Sequence, residues 1–204
     1  MLRTQQRTLK GDCSYTGIGI HTGQQVTVSF RPAPPDHGIV FVRTDLPDSP
    51  EVPASIKHVA PSSDNPRRTT LSHNGVKIYT VEHVLAALAG LGIDNARVEL
   101  DADEPAEPTD GSCELFVNIL SEAGIVEQDA PLQHLVITEP VTYDDGEVHI
   151  SASPHDGFRL SFTIDYENPT IGTQYASFEI NEKTFLEEIA CSRTFALQSD
   201  VEEL

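Results

Sequence analysis

Val76-Lys77-Ile78-Tyr79-Thr80-Val81-Glu82-His83-Val84-Leu85-Ala86-Ala87-Leu88-Ala89-Gly90, continued by Leu91 to Asn95 and then Ala96-Arg97-Val98-Glu99-Leu100, decides the fold. Val76–Tyr79 is a short β-branched run that leads straight into a helix. Thr80 stands where an N-cap belongs, with a hydroxyl able to accept from an orphan backbone N–H. Val81, Val84, Leu85 and Leu88 make an apolar stripe at helical spacing. Ala86, Ala87 and Ala89 are strong helix formers. Gly90 is the expected stop, and Ala96–Leu100 reads as the next strand. Strands followed by a helix, in this part and again in the second, suggest two layered α+β domains.

Working outward, Val26–Phe30 alternates and is β-branched, as a strand does. Arg31 to Asp36 breaks the pattern, and Gly38–Arg43 is a second strand. Asp101 to Asp110 is acidic, contains Pro105 and Pro108, and reads as a loop. A second helix is expected from Glu114 to Ala123, with Leu115, Phe116, Ile119 and Leu120 on one face and Gly124 ending it. The polar stretch Glu127 to Pro131 is the candidate boundary, giving domains over 1–128 and 132–204. Beyond it, Leu135–Ile137, Glu147–Ser151, Arg159–Asp165 and Ala176–Ile180 read as strands. Tyr166–Tyr175 reads as a loop and Lys183–Ala190 as a helix. Asp200 to Leu204 looks like the first turns of another helix, so the second α+β domain is expected to be incomplete.

Bulk properties bound the function. The chain has 204 residues, 38% hydrophobic and 22% charged, which fits a globular protein. Its 13 basic and 32 acidic residues give a formal net charge of -19. Without a cluster of Lys and Arg to neutralise phosphates, nucleic acid is not an expected partner. Cys13, Cys113 and Cys191 are scattered and odd in number, which argues against a disulfide framework and for a reducing, cytoplasmic setting. No apolar stretch is long enough to span a bilayer.

Several groups could carry chemistry. Gly17-Ile18-Gly19-Ile20-His21-Thr22-Gly23 fails the dinucleotide spacing, since Thr22 stands in place of the third glycine, and reads as a turn between strands. Glu82-His83, taken alone, is an ordinary surface pair. In a helix's first turn, however, an imidazole can ligate a metal and a neighbouring carboxylate can take a proton from a water. Asp110-Gly111-Ser112 reads first as a turn with Ser112 as cap. Ser192-Arg193-Thr194-Phe195 is read equally well as a helix exit or as part of a site.

Seven pieces in order carry a resemblance. They are Gln6–Lys10, Gly17–Gly23, Arg31–Pro34, Thr80–His83, Gly92–Asn95, Asp110–Ser112 and Arg193–Phe195. Together they resemble the UDP-3-O-acyl-N-acetylglucosamine deacetylases of lipid A synthesis in Gram-negative bacteria. The resemblance implies two layered α+β domains packed face to face around a Zn(2+) site. It implies that His83 is a zinc ligand and that Glu82 is the general base that activates the zinc-bound water for attack on the acetamide. Thr194 is then an oxyanion donor, and Phe195, Ile20 and Thr80 lie against the substrate, a UDP-linked acylated amino sugar. The loop Asn168 to Tyr175 matches the region that shapes the acyl passage. A monomer is the implied state, with room for transient contact with the inner membrane surface. The family completes its site with a later H-K-x-x-D stretch and a further His as general acid. No such stretch occurs here, so the expectation is a C-terminally truncated chain, inactive alone. A non-catalytic remnant and the first part of a fusion with a second lipid-biosynthesis enzyme are the alternatives.

Overall fold

A computed structural model describes residues 3–61 and 67–198. Its centre is a five-stranded sheet ordered β2-β3-β8-β4-β5. The strands are β2 (Cys13–Ile18), β3 (Gln25–Pro32), β4 (Ile39–Arg43), β5 (Glu51–Pro53) and β8 (Ala96–Leu100). All neighbours are antiparallel except β4 and β8, which run parallel from Ile39↔Ala96 to Arg43↔Leu100. A parallel pair needs a long crossover. That crossover contains the small hairpin β6 (Leu71–His73) and β7 (Val76–Ile78) and the helix α1 (Glu82–Gly90).

Alternation decides which face is covered. In β3, Val26, Val28 and Phe30 are buried, while Thr27 and Ser29 turn away; in β8, Ala96, Val98 and Leu100 are buried. The buried face packs against α1 and α2 (Glu114–Ala123) through Val84, Leu88, Leu91, Phe116 and Leu120. Phe116 meets Phe30 and Tyr15 edge-on, with ring centroids 5.9 and 6.2 Å apart. The opposite face carries a charge ladder in which Arg31 and Arg97 share Glu99, and Arg97 reaches Glu51. The result is the expected α+β layer.

Some expectations change. Thr80 is not the cap of α1. Val81 occupies that position, and Thr80 adopts a left-handed backbone with φ 51°. Its hydroxyl goes to a buried carboxylate instead. Ser112 does accept from Glu114 N at 3.2 Å, although Cys113 takes the cap position itself. Glu127–Pro131 belongs to a strand, β9 (Ile125–Pro131), paired antiparallel with β1 (Gln5–Leu9). Backbone pairing there tolerates polar side chains because one face is open to water. Leu135–Ile137 forms no strand and pairs with no strand among the described residues, and Leu135 and Val136 stay exposed.

The following segment makes two antiparallel hairpins. β10 (Val141–Asp144) pairs with β11 (His149–Ala152), and β12 (Arg159–Asp165) with β13 (Thr173–Glu179). The expected loop Tyr166–Tyr175 is therefore shorter, because Thr173 already pairs with Asp165. The helix expected at Lys183–Ala190 begins as α3 (Glu182–Thr184) and continues as a π-helix over Phe185–Ile189. Phe185 and Ala190 are buried in the first layer's core. Gly90 makes this docking feasible, since a Cβ there would lie 2.2 Å from the Phe185 ring. The helix start expected at Asp200–Leu204 lies outside the described residues.

Candidate functional site

Two buried carboxylates organise the region around α1. Glu104 is fully buried yet accepts from four donors. These are His21 N at 3.1 Å, Thr22 N at 2.9 Å, Thr22 Oγ1 at 3.0 Å and Thr80 Oγ1 at 2.6 Å. A buried charge is tolerable only when it is satisfied in this way. Glu104 thus ties the turn after β2 to the residues before α1. Gly19 is required by this packing: a Cβ there would stand 2.6 Å from both Glu104 Oε2 and Thr22 Oγ1.

Glu107 is the second carboxylate. Its backbone N–H donates to Ile18 O at 3.0 Å, and its side chain bonds His83 Nδ1. That bond is the main reason the His83 imidazole holds its proton above the ordinary histidine range; burial opposes it, and the charges of Glu107, Glu82 and Asp110 add to it. Glu82 precedes His83 in the first turn of α1. Its carboxylate accepts from Thr69 N with both oxygens, at 3.3 and 3.1 Å, which fixes its orientation.

The Asp110–Ser112 loop adjoins this group. Asp110 accepts from Ser112 N at 3.1 Å and Ser112 Oγ at 2.8 Å, bonds that hold its carboxyl below the usual range, with Arg193 contributing. Thr194 N donates to Gly111 O at 2.9 Å. The segment bearing Thr194 is thereby docked on the loop beside His83. Phe195 is exposed and packs edge-on against Tyr166, with ring centroids 5.6 Å apart. Ile20 is exposed at the tip of the turn that Glu104 holds. Thr80 is buried, with its hydroxyl committed to Glu104.

The donor chemistry can be tested against a zinc ion. An imidazole that ligates zinc through one nitrogen commonly presents the other to a carboxylate. His83 does this with Glu107 at Nδ1, leaving Nε2 for a metal. His83 therefore fits as one ligand. Among the described residues, no group of three or more His, Cys, Asp or Glu side chains could hold a metal ion. Sequence reasoning missed Glu104 and Glu107, reading them only as part of an acidic, proline-containing loop.

A family model described as UDP-3-O-acyl N-acetylglycosamine deacetylase matches residues 6–204. The chain is 48% identical over 201 residues to a protein of Chlorobaculum tepidum named "Bifunctional enzyme LpxC/FabZ", covering 98% of this chain and 42% of that one. Its identity to the UDP-3-O-acyl-N-acetylglucosamine deacetylase of Myxococcus xanthus is 46%, covering 98% and 62%. For the protein of that name from Bdellovibrio bacteriovorus the identity is 43%, covering 98% and 65%. The chain thus spans less than two thirds of the length of each of these relatives.

Proposed function

Since the chain belongs to the UDP-3-O-acyl N-acetylglycosamine deacetylase family, we propose that it carries the Glu-His part of a zinc-dependent amidohydrolase site. The reaction is hydrolysis of the acetamide of UDP-3-O-acyl-N-acetylglucosamine in lipid A biosynthesis, giving the free amine and acetate. One observation supports it most: Glu82 and His83 stand side by side at the start of α1, with His83 Nδ1 taken by Glu107.

Each residue has a role that its surroundings support. His83 offers Nε2 to zinc, and Glu107 fixes the ring and raises its basicity. Bound zinc supplies Lewis-acid polarisation of the carbonyl and of the attacking water. Glu82, its carboxylate held by Thr69 N–H, would take the proton from the attacking water. The Thr194 hydroxyl donates to the oxygen that gains charge on attack. Ile20 and Phe195 offer apolar surface to the acyl chain, with Tyr166 behind Phe195. Thr80 shapes the site through Glu104.

The working protein is proposed to be cytoplasmic and monomeric, with a zinc cofactor and a second α+β domain over 132–204 facing the first. Its lipid-like substrate would bring it into transient contact with the inner membrane surface. No helix among the described residues is long and apolar enough to cross a membrane. Because no group of three or more metal-ligating side chains stands among the described residues, the 204-residue chain by itself is proposed to be inactive. A chimera tests both statements: this chain joined to the remaining C-terminal part of the Myxococcus xanthus relative. Acetate release by the chimera, abolished by Glu82→Gln and absent from the unextended chain, is the expected result. A folded, zinc-loaded chimera that releases none, or one that keeps its rate with Glu82→Gln, overturns the assignment.

A further inference from the structure

The contact between the α2 start and the Thr194 segment carries a thiol on each side. Cys113 caps α2 and is buried; Cys191 follows the π-helix and is exposed. The Cys113 thiol donates to Ala190 O at 3.6 Å, one residue from Cys191. Two residues before Cys113, Gly111 O accepts from Thr194 N at 2.9 Å. The two chain segments thus run past each other antiparallel, with Gly111 opposite Thr194 and Cys113 opposite the Ala190-Cys191 peptide.

We propose that Cys113 and Cys191 are a redox-sensitive pair that closes to a disulfide and pins residues 191–195 to the start of α2. The Cys113 sulfur lies 3.6 Å from Ala190 O, and a carbonyl oxygen lies roughly 3 Å from the next Cα, so the sulfur is at most about 6.6 Å from the Cys191 Cα. In a disulfide, with S–S at about 2 Å, each sulfur lies roughly 3–4.5 Å from the opposite Cα. Rotation of the Cys191 side chain and a slide of about 2 Å in an exposed segment close that gap. The third thiol, Cys13, is placed differently: it sits in β2, the sheet's edge strand, paired with Phe30. Burial pushes the Cys113 thiol up to about 11, with Asp110, Glu107 and Cys191 adding to the effect. Cys191 is exposed where Cys113 is buried, so an oxidant reaches Cys191 first.

The oxidant is a small disulfide of the glutathione class. The Cys191 thiolate attacks one of its sulfurs, forming a mixed disulfide and releasing one thiolate. Cys113, after losing its proton, attacks Cys191 Sγ in that mixed disulfide and expels the second thiolate. Two protein thiols lose two protons and two electrons, and the small disulfide is reduced to two thiols.

The test equilibrates the full chain in buffers of oxidised and reduced glutathione, then maps peptides by mass spectrometry and measures amide exchange. A Cys113–Cys191 bond within one chain is expected, with Cys13 free and Cys13→Ser leaving the bond intact. Exchange of the Thr194 amide should slow about tenfold on oxidation, as that opening is suppressed. Cys191→Ser, at an exposed position, should abolish both effects. A bond involving Cys13, a bond only between chains, three free thiols in the fully oxidised buffer, or an unchanged Thr194 amide each overturns the proposal. None of these readouts depends on deacetylase activity.

Discussion

The Thr80 hydroxyl donates to the buried Glu104 carboxylate at 2.6 Å. That bond holds a non-glycine residue in the left-handed region, a conformation that costs on the order of 1 kcal/mol without compensation. It also sets the peptide plane from which α1, and with it Glu82-His83, departs. Replacing Glu104 with Ala leaves Thr22 N, His21 N and two hydroxyls without their acceptor. The expected loss is about 3 kcal/mol in urea unfolding. Glu104→Gln should fall between, because it keeps one acceptor oxygen. A loss under about 0.5 kcal/mol for Glu104→Ala would show that water replaces the carboxylate readily.

Glu107 gives a prediction in pH. It raises the proton affinity of His83, so Glu107→Gln should move the His83 titration seen by NMR down toward the ordinary histidine range. The sign for stability follows from linkage. A raised folded-state value means the contribution is complete below the unfolded histidine pKa of about 6.5 and is lost as pH rises through the higher folded value. In metal-free protein, the stability gap between wild type and Glu107→Gln should therefore be largest in mild acid and shrink on the alkaline side. A gap that widens with rising pH would contradict this account.

Gly90 tests the docking of the second segment. Alanine is better than glycine in a helix by about 1 kcal/mol, yet a Cβ at this position meets the Phe185 ring. Overpacking of this kind costs about 1–3 kcal/mol. Gly90→Ala should thus destabilise the wild-type chain and become neutral or favourable in a Phe185→Ala background. A double-mutant cycle by denaturant unfolding checks it, and additive effects would mean the ring moves aside without cost.

Asn95 should act as a structural hub. Its Nδ2 donates to Gln6 and Gln128 at 2.8 and 2.7 Å, and its Oδ1 accepts from Gly38 N at 2.8 Å. Asn95→Asp keeps the shape and places a carboxylate against two amide oxygens. We expect a loss of about 2–3 kcal/mol, measured by thermal unfolding, with Glu82 and His83 chemical shifts little changed. Large shifts at Glu82 would place Asn95 in the site.

The first layer was legible because its signals are local. Val26, Val28 and Phe30 alternate, and the stripe of α1 has helical spacing. The pairing of β1 with β9 was not legible, since Gln5, Gln6 and Arg7 on one side and Glu127 to Asp129 on the other carry no apolar pattern. Their stability comes from a partner far along the chain. Glu82-His83 was visible as a motif, whereas Glu104 and Glu107 read only as part of an acidic, proline-containing loop. What buries Glu104 is a set of donors from His21, Thr22 and Thr80, all more than twenty residues away. No window of neighbouring sequence contains that information. Thr80 was misread for a related reason, because capping is a local rule and the tertiary bond to Glu104 overrode it.

The parallel pairing of β4 with β8 has a kinetic consequence. These strands cannot meet until the whole crossover between them, α1 included, has been gathered, and that closure entropy must be met before any ladder bond forms. The centre of the sheet should be a late event in refolding, and the strands waiting for it would present bare edges meanwhile. Since Glu82 and His83 lie inside the crossover, their fixed geometry should appear only in the final phase, together with burial of Val98 and Leu100.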